Sequence, residues 1–276
     1  MSILNSLKIE EKISKNNPYS SSFVFHHLPL GMGTTVSNCL RNTLMNYITG
    51  IAISGVEISD KNDYLIKTKL DILEGVNKST FHLISELKKI VFEEKKAKEG
   101  IFTLEMDVEN KGKNDRIITA GDFQKIAEVE IKNPELELTV LSAPLDGKTP
   151  NKLKIKLYCQ KKWGYHRAEE QQREENQIIA LDTDYSPIKG GVVNFKVKSM
   201  PADLTKEEEE LELIINTNGA IKPKKALQEA LEVICNSFDH ISKLINKKKE
   251  LKSSDEVPVK KEKKVKVGEA EEINQE

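Results

Sequence analysis

The side chains most often used in catalysis or metal binding are scattered along this sequence. Five histidines are present, and two of them, His26 and His27, are adjacent. Adjacent residues of a strand point to opposite faces, so this pair would not share a metal ion. The other histidines have no cysteine or histidine neighbour at ligand spacing. The sequence therefore predicts a structural role for His26 and His27 and no metal site.

Two further motifs resemble ion-binding sites but lack the residues that would complete them. Gly31-Met32-Gly33 precedes a predicted helix, whose free N–H groups would favour an anion. No Gly-Lys-Ser/Thr ending or third glycine follows, which favours a tight strand-to-helix connection over a phosphate loop. The acidic run at 207–210 is linear, with no turn glycine, and favours a solvated loop over a calcium site. We predict no cofactor and no catalytic residue, with an unrecognised hydrolase as one alternative.

The charge balance argues against bulk attraction to nucleic acid or to a membrane surface. Lys and Arg number 43 and Asp and Glu 44, which gives a formal net charge of -1. Lysines cluster between 247 and 266, but glutamates follow them and no aromatic residue is interleaved to stack on bases. This composition favours a disordered, charged tail at 247–276. A nucleic-acid-binding protein that uses this tail remains a second alternative.

Cysteine usage and hydropathy indicate a soluble protein that stays where it is made. Cys39, Cys159 and Cys235 are far apart and odd in number, which is typical of thiols in a reducing compartment. No apolar run approaches the roughly 20 residues that span a bilayer. The first residues lack the pattern of a secretion signal.

An amphipathic helix is predicted after the Gly31–Gly33 turn, with Thr34 or Thr35 as its cap and its end before Gly50. Its apolar positions follow helical spacing at Val36, Leu40, Leu44 and Tyr47. The opposite face carries Asn38, Arg41, Asn42, Met45 and Asn46. That face is too polar for a core and lacks the Lys/Glu mixture of a solvated surface.

The rest of the chain alternates between strand and helix patterns. A second helix is predicted over 79–92, and alternating residues between 101 and 159 predict antiparallel strands with one solvated face. A last helix begins near Pro223. Its apolar positions follow a heptad rhythm at Leu227, Leu231, Ile234, Phe238, Ile241 and Ile245. Such a rhythm lets two helices pack along a shared seam, and packing against the protein's own sheet is an alternative of equal weight on the pattern alone.

The segment from Gly31 to Ile58 closely resembles the signature of bacterial-type RNA polymerase alpha subunits. In that family a Gly-Phe-Gly-x-Thr-x-x-Asn-x-x-Arg-Arg helix is followed by Pro-Gly and a strand ending in Val-Glu-Ile. The matching residues here are Gly31, Gly33, Thr35, Asn38, Leu40, Arg41, Gly50, Val56, Glu57 and Ile58. Similar short motifs, such as Asp184-Tyr185-Ser186-Pro187 and Thr217-Asn218-Gly219, follow in the family's order. The resemblance covers roughly 18–244.

The resemblance implies an α+β protein with two domains. A discontinuous dimerisation domain would comprise 1–55 and 178–246, and a mainly antiparallel β domain would be inserted at 56–177. The chain would be a non-catalytic homodimer that binds the beta and beta-prime subunits, which supply the catalytic centre of DNA-directed RNA polymerase. It would act in the cytoplasm or inside a plastid-type organelle. The family's C-terminal DNA-binding domain is expected to be missing, so no sequence-specific DNA binding is expected.

Residue by residue, the resemblance assigns three interfaces. The beta-subunit contact would be formed by Asn38, Arg41, Asn42 and Met45, with Asn42 in place of the family's second arginine. The dimer interface would be formed by Leu227, Leu231, Ile234, Phe238 and Ile241. The region of 195–204 would face beta-prime through Lys196, Lys198 and Leu204.

Overall fold

The computed structural model describes residues 7–15, 17–96, 100–145, 149–171, 179–188, 193–200 and 208–253. The helices are α1 (Met32–Asn46), α2 (Thr80–Leu87) and α3 (Pro223–Ser253). The strands are β1 (Lys8–Ile13), β2 (Ser20–Pro29), β3 (Thr49–Ser59), β4 (Phe92–Glu94), β5 (Ile101–Asn110), β6 (Arg116–Thr119), β7 (Val129–Ile131), β8 (Glu137–Leu141), β9 (Asn151–Trp163), β10 (Tyr165–His166), β11 (Ile179–Ala180), β12 (Thr183–Asp184), β13 (Val193–Met200) and β14 (Glu208–Asn216). All described strand pairs are antiparallel, which confirms the predicted α+β class.

The first sheet has the strand order β1-β2-β14-β13 and supports α1. Buried and half-buried residues alternate along β14, as expected for a sheet with one buried face, and β2 contributes further buried apolar residues. They form a core with the apolar side of α1 and the start of α3, and its members include Phe23, Phe25, Leu40, Leu44, Leu211, Leu213, Ile215, Ala226 and Leu227. The order places two strands from the first 29 residues beside two strands from residues 193–216.

The second sheet has the strand order β11-β3-β9-β5 and buries one face in a separate core. Leu153, Ile155 and Leu157 of β9 are buried, and the lysines between them face carboxylates of neighbouring segments. Lys154 donates to Asp63 at 2.6 Å, and this hydrogen bond lowers the pKa of Asp63. The predicted one-sided strands are therefore confirmed.

Both cores lie within one compact unit that contains the described residues up to Ile234, and the residues from Cys235 belong to a second unit. The core of the second sheet also includes Ile53, Ile179 and Leu181, which lie just outside the 56–177 boundaries. The core includes residues outside the predicted range because β3 and β11 pair with each other and belong to this sheet.

The chain passes between the two cores at a close contact. A Cβ atom at Gly50 would lie 2.0 Å from the carbonyl oxygen of Tyr185 and 3.3 Å from Cδ of Pro187, so only glycine fits. Beside it, the Thr49 N–H and hydroxyl groups donate to the Glu229 carboxylate at 3.0 and 2.7 Å. The start of β3 is thereby attached both to the returning chain and to α3.

Helix α1 starts earlier than predicted and is held by a strand. Gly31 has φ +84°, a left-handed conformation that favours glycine, and no side-chain cap is present at Thr34 or Thr35. The Gly33 N–H group instead donates to the buried carboxylate of Glu209 at 2.8 Å. A negative charge at a helix N-terminus satisfies free N–H groups and the helix dipole. Glu209 therefore acts as the cap of α1 from a distant strand.

The other helix ends also differ from the sequence expectations. Helix α2 ends at Leu87, because the Val91 backbone is bound by Lys132 and by the Asn133 side chain, and Phe92 enters β4. Helix α3 begins at Pro223 as predicted, and it extends to Ser253 instead of ending near 246. The rest of the predicted tail, 254–276, lies outside the described residues. No helix in the described residues is both long and apolar enough to cross a membrane.

Replacing Gly50 with alanine is expected to destabilise the protein by roughly 3 kcal/mol, because the new Cβ would overlap backbone that cannot move without shifting the chain between the cores. Urea denaturation of Gly50→Ala measures the loss. Gly112→Ala is the control, since the nearest atom to its Cβ would be a side-chain oxygen of Asn110 at 3.3 Å, with backbone atoms of Asn114 no closer than 3.8 Å. Equal effects of the two substitutions would contradict the steric explanation.

Replacing Glu209 with glutamine should cost about 1–2 kcal/mol of unfolding free energy, because the α1 N-terminus loses its negative charge while the side-chain shape is kept. Glu212→Gln on the same strand is the control, since its carboxylate accepts from the Ser22 hydroxyl at 2.8 Å and caps no helix. A loss in Glu209→Gln no larger than in the control would refute the capping role.

Candidate subunit interfaces

The polar face of α1 is exposed, as the sequence predicted. Asn38, Arg41, Asn42 and Asn46 are exposed. The Asn46 side chain donates to the Asn42 carbonyl at 2.9 Å, which keeps this edge of the helix ordered. Helix α1 contains no acidic residue, and no ion pair of Arg41 is found among the described residues. The face therefore offers one free guanidinium group surrounded by amides, which suits a partner that carries a carboxylate.

Met45 differs from the rest of the predicted contact set. It is half-buried and packs against the core of the first sheet. Only part of its side chain is available to a partner. A substitution at Met45 would disturb the core and the surface together, so it is a poor probe of binding.

The seam predicted on α3 divides into a buried start and an exposed continuation. Leu227 is 6% exposed and lies in the core of its own chain, and Ile234 packs at the edge of that core. Leu231 is 40% exposed, and in the second unit Phe238 and Ile241 are 62% and 51% exposed. Leu244 and Ile245 extend the exposed row. Packing against the protein's own core therefore holds at Leu227 and Ile234, whereas the dimer seam stays a prediction.

The two predicted beta-prime lysines that the structure describes lie on an edge strand. Lys196 and Lys198 are exposed on β13, opposite Glu212 and Glu210 of β14. Charged side chains on an edge strand discourage uncontrolled pairing with other strands. Leu204, the third residue of this predicted contact, lies outside the described residues.

The acidic run is not a solvated loop in the part that the structure describes. Its last three residues begin β14, and each carboxylate has a partner. His27 contacts Glu208 at 2.6 Å and His26 contacts Glu210 at 3.0 Å, while Glu209 caps α1. The structural role predicted for the two histidines fits these contacts. No three His, Cys, Asp or Glu side chains converge as metal ligands among the described residues.

A cluster of aromatic rings was missed by the sequence interpretation. Tyr47 was assigned to the buried stripe of α1 but is 49% exposed, since it follows the last helical residue. Its ring centroid lies 5.6 Å from that of Trp163, which is 53% exposed. The only available signal was the single tryptophan of the chain beside Gly164 and Tyr165.

Comparison with known proteins agrees with this architecture. A family model described as the RNA polymerase Rpb3/RpoA insert domain matches residues 51–186, which include the core of the second sheet. The DNA-directed RNA polymerase subunit alpha of Thermotoga maritima is 30% identical over 251 residues, which cover 91% of this chain and 69% of the relative. The subunit of the same name from Aquifex aeolicus is 31% identical over 252 residues, which cover 89% of this chain and 73% of the relative.

A third relative, the DNA-directed RNA polymerase subunit alpha of Flavobacterium psychrophilum, is 29% identical over 242 residues and 86% of this chain. These similarities extend over nearly the whole chain and include both sheets. The chain belongs to the family of DNA-directed RNA polymerase alpha subunits.

Proposed function

We propose that this chain is a non-catalytic subunit of RNA polymerase that forms a homodimer and holds the beta and beta-prime subunits together for transcription. The observation that carries the proposal is the row of exposed apolar side chains on α3, in a chain that also exposes an uncharged-to-basic face on α1. Two different unpartnered surfaces suit a protein that joins several partners. Its place of action is the cell interior, as expected for a polymerase subunit.

The α3 row is proposed to pack against the same row of a second copy. Leu231, Phe238, Ile241 and Ile245 repeat at heptad spacing, which keeps a seam facing a partner helix. Burial of apolar surface contributes about 25 cal/mol per Å². In a symmetric pair each of these side chains is buried in both protomers, so every residue contributes two buried side chains to the interface. Twofold dimers are the commonest oligomers.

The two hydrophobic cores are proposed to correspond to two functional parts of the chain, one for dimerisation and one inserted into it. The sequence-based division into 1–55 and 178–246 for dimerisation and 56–177 for the insert would shift slightly, so that the chain crosses between the two parts close to Gly50 and Pro187. Two observations support an insert that ends near Pro187 and not at 177. The insert-domain model matches 51–186, and Ile179 and Leu181 belong to the second core.

The α1 face is proposed to bind beta, and the exposed lysines of β13 to face beta-prime. Arg41 would hold a carboxylate of beta by paired hydrogen bonds. Asn42 cannot repeat that contact, because an amide lacks the charge and the forked donors of the arginine found there in the family. Arg41 would therefore carry the charged part of the contact alone.

The dimer proposal predicts a solution mass of twice the chain mass of 31.2 kDa at micromolar concentration. Replacing Phe238 with glutamate should give monomers, because a charge would be buried in the seam. Light scattering after size-exclusion chromatography measures both masses. Lys243→Glu is the control on the polar side of α3 and should remain dimeric. A wild-type chain that is strictly monomeric would contradict the proposal.

Replacing Arg41 with alanine should weaken capture of beta roughly tenfold, about 1.4 kcal/mol, while the dimer and the fold stay intact. Binding of purified beta to the immobilised dimer measures the change, and circular dichroism checks the fold. Arg116→Ala removes another exposed arginine, one that already pairs with Asp122 at 3.1 Å, and should bind beta normally. Parallel loss of dimer and beta binding would show that this face has a different role.

A further inference from the structure

The aromatic patch consists of Tyr47, Trp163, Tyr165 and His166. Tyr165 is 62% exposed, and the rings of Tyr47 and Trp163, whose centroids are 5.6 Å apart, are each about half-exposed. The Trp163 and His166 rings are 6.4 Å apart in an edge-to-face arrangement. Exposed aromatic groups of this size are typical of the buried centres of protein interfaces.

The patch stands on a fixed support. Gly164 adopts φ +70°, and its carbonyl accepts from the Tyr185 N–H at 3.0 Å. The His166 ring packs edge-on against Tyr185 at 5.6 Å. Tyr185 is 2% exposed, and its hydroxyl donates to Gln171 at 2.5 Å. Rings held in this way lose little conformational freedom when a partner covers them.

The aromatic patch lies next to the polar face of α1, because the backbone at Gly164 contacts the end of that helix. A Cβ atom at Gly164 would lie 3.4 Å from the carbonyl oxygen of Asn46, the last residue of α1. Asn46 is hydrogen-bonded to Asn42 on the same face. In the sheet, Trp163 is paired with Thr49, so β3 and β9 bring it beside the end of the helix. A partner lying on Asn42 and Asn46 meets Trp163 next.

We propose that the beta subunit extends over the aromatic patch and covers Trp163 and Tyr47 with apolar side chains, while a carboxylate of beta meets Arg41. This inference rests on the proposed function of the α1 face. The combined surface carries the free cation of Arg41 and no acidic residue on α1, which favours a partner with a carboxylate at one end and an apolar area at the other.

Protein is favoured over nucleic acid as the occupant. Glu170 lies 3.4 Å from the His166 ring and Glu169 precedes it, so carboxylates lie beside this end of the patch. Lys162 lies over the Tyr185 ring at 5.9 Å, which engages this cation with an aromatic face of its own chain. Phosphates approaching the rings would meet these carboxylates, whereas an apolar protein surface would not.

Trp163 is the single tryptophan of the chain, so incorporation of 5-fluorotryptophan gives one fluorine resonance from the full-length protein. Unlabelled beta is added to the labelled dimer. One beta bound to a dimer covers one of two identical sites, so about half of the signal is expected to move and to lose its solvent isotope shift. An unmoved resonance in a sample in which beta is bound would overturn the inference and leave the proposed function intact.

Further samples test the other possible occupants. Labelled Phe238→Glu reports whether a second copy covers Trp163, single-stranded RNA and DNA report nucleic acid, and wild type without beta is the reference. The inference requires that the Trp163 resonance is unchanged in Phe238→Glu and in the samples with RNA or DNA. A shift caused by dimerisation or by nucleic acid would overturn it. Failure of wild-type dimer to bind beta at all would remove the proposed function and this inference together.

Replacing Trp163 with alanine should weaken beta binding at least tenfold, with the dimer mass unchanged. Tyr64→Ala removes an aromatic residue of similar exposure, 52%, outside the patch and should bind beta as wild type does. Trp163→Phe should recover most of the affinity, since a ring is restored. Normal binding by Trp163→Ala would contradict the inference. The fluorine measurement requires no substitution, so it decides the question even if Trp163→Ala folds poorly.

Discussion

The hydrogen bond from the Gly33 N–H group to the buried Glu209 carboxylate fixes the position from which every surface of α1 is presented. It joins the start of a helix to a strand far away in the sequence, at 2.8 Å. A carboxylate this buried is costly unless it is paired, and the helix N-terminus supplies both donors and positive potential. Gly33 has to lack a side chain, because a Cβ would lie 2.8 Å from both Glu209 and Val197.

The consequence of this contact is a defined rotation of α1. With its first turn held against β14, the helix turns Leu40 and Leu44 into the core and leaves Arg41 and Asn42 outside. The Gly50 crossing completes the arrangement at the other end. A helix anchored at both ends presents a rigid face, and a rigid face binds with a smaller loss of conformational entropy.

Much of the fold could be predicted because its signals are local and periodic. The buried positions Leu40 and Leu44 and the alternation along β9 follow from spacing, and the start of α3 follows from the preference of proline for a first helical turn. The acidic run could not be assigned correctly, because consecutive glutamates are usually solvated and their partners His26 and His27 lie elsewhere in the chain. Nothing in the local pattern indicates that a distant helix needs a carboxylate.

A candidate surface could be predicted from the sequence when all of its residues lie on one helix. The polar face of α1 and the apolar row of α3 each lie on a single helix, whereas the aromatic patch requires Tyr47 and Trp163 to meet through the register of β3 and β9.

The same register affects the proposed contact with beta, because it places Trp163 near the helix that carries Asn42. On the proposed assignment, the contact lacks one charged pair at Asn42 and gains aromatic area at Trp163. Apolar area is little affected by salt, whereas exposed charge pairs are screened over about 10 Å at 0.1 M ionic strength. Binding through this face would therefore depend less on ionic strength than binding through two adjacent arginines.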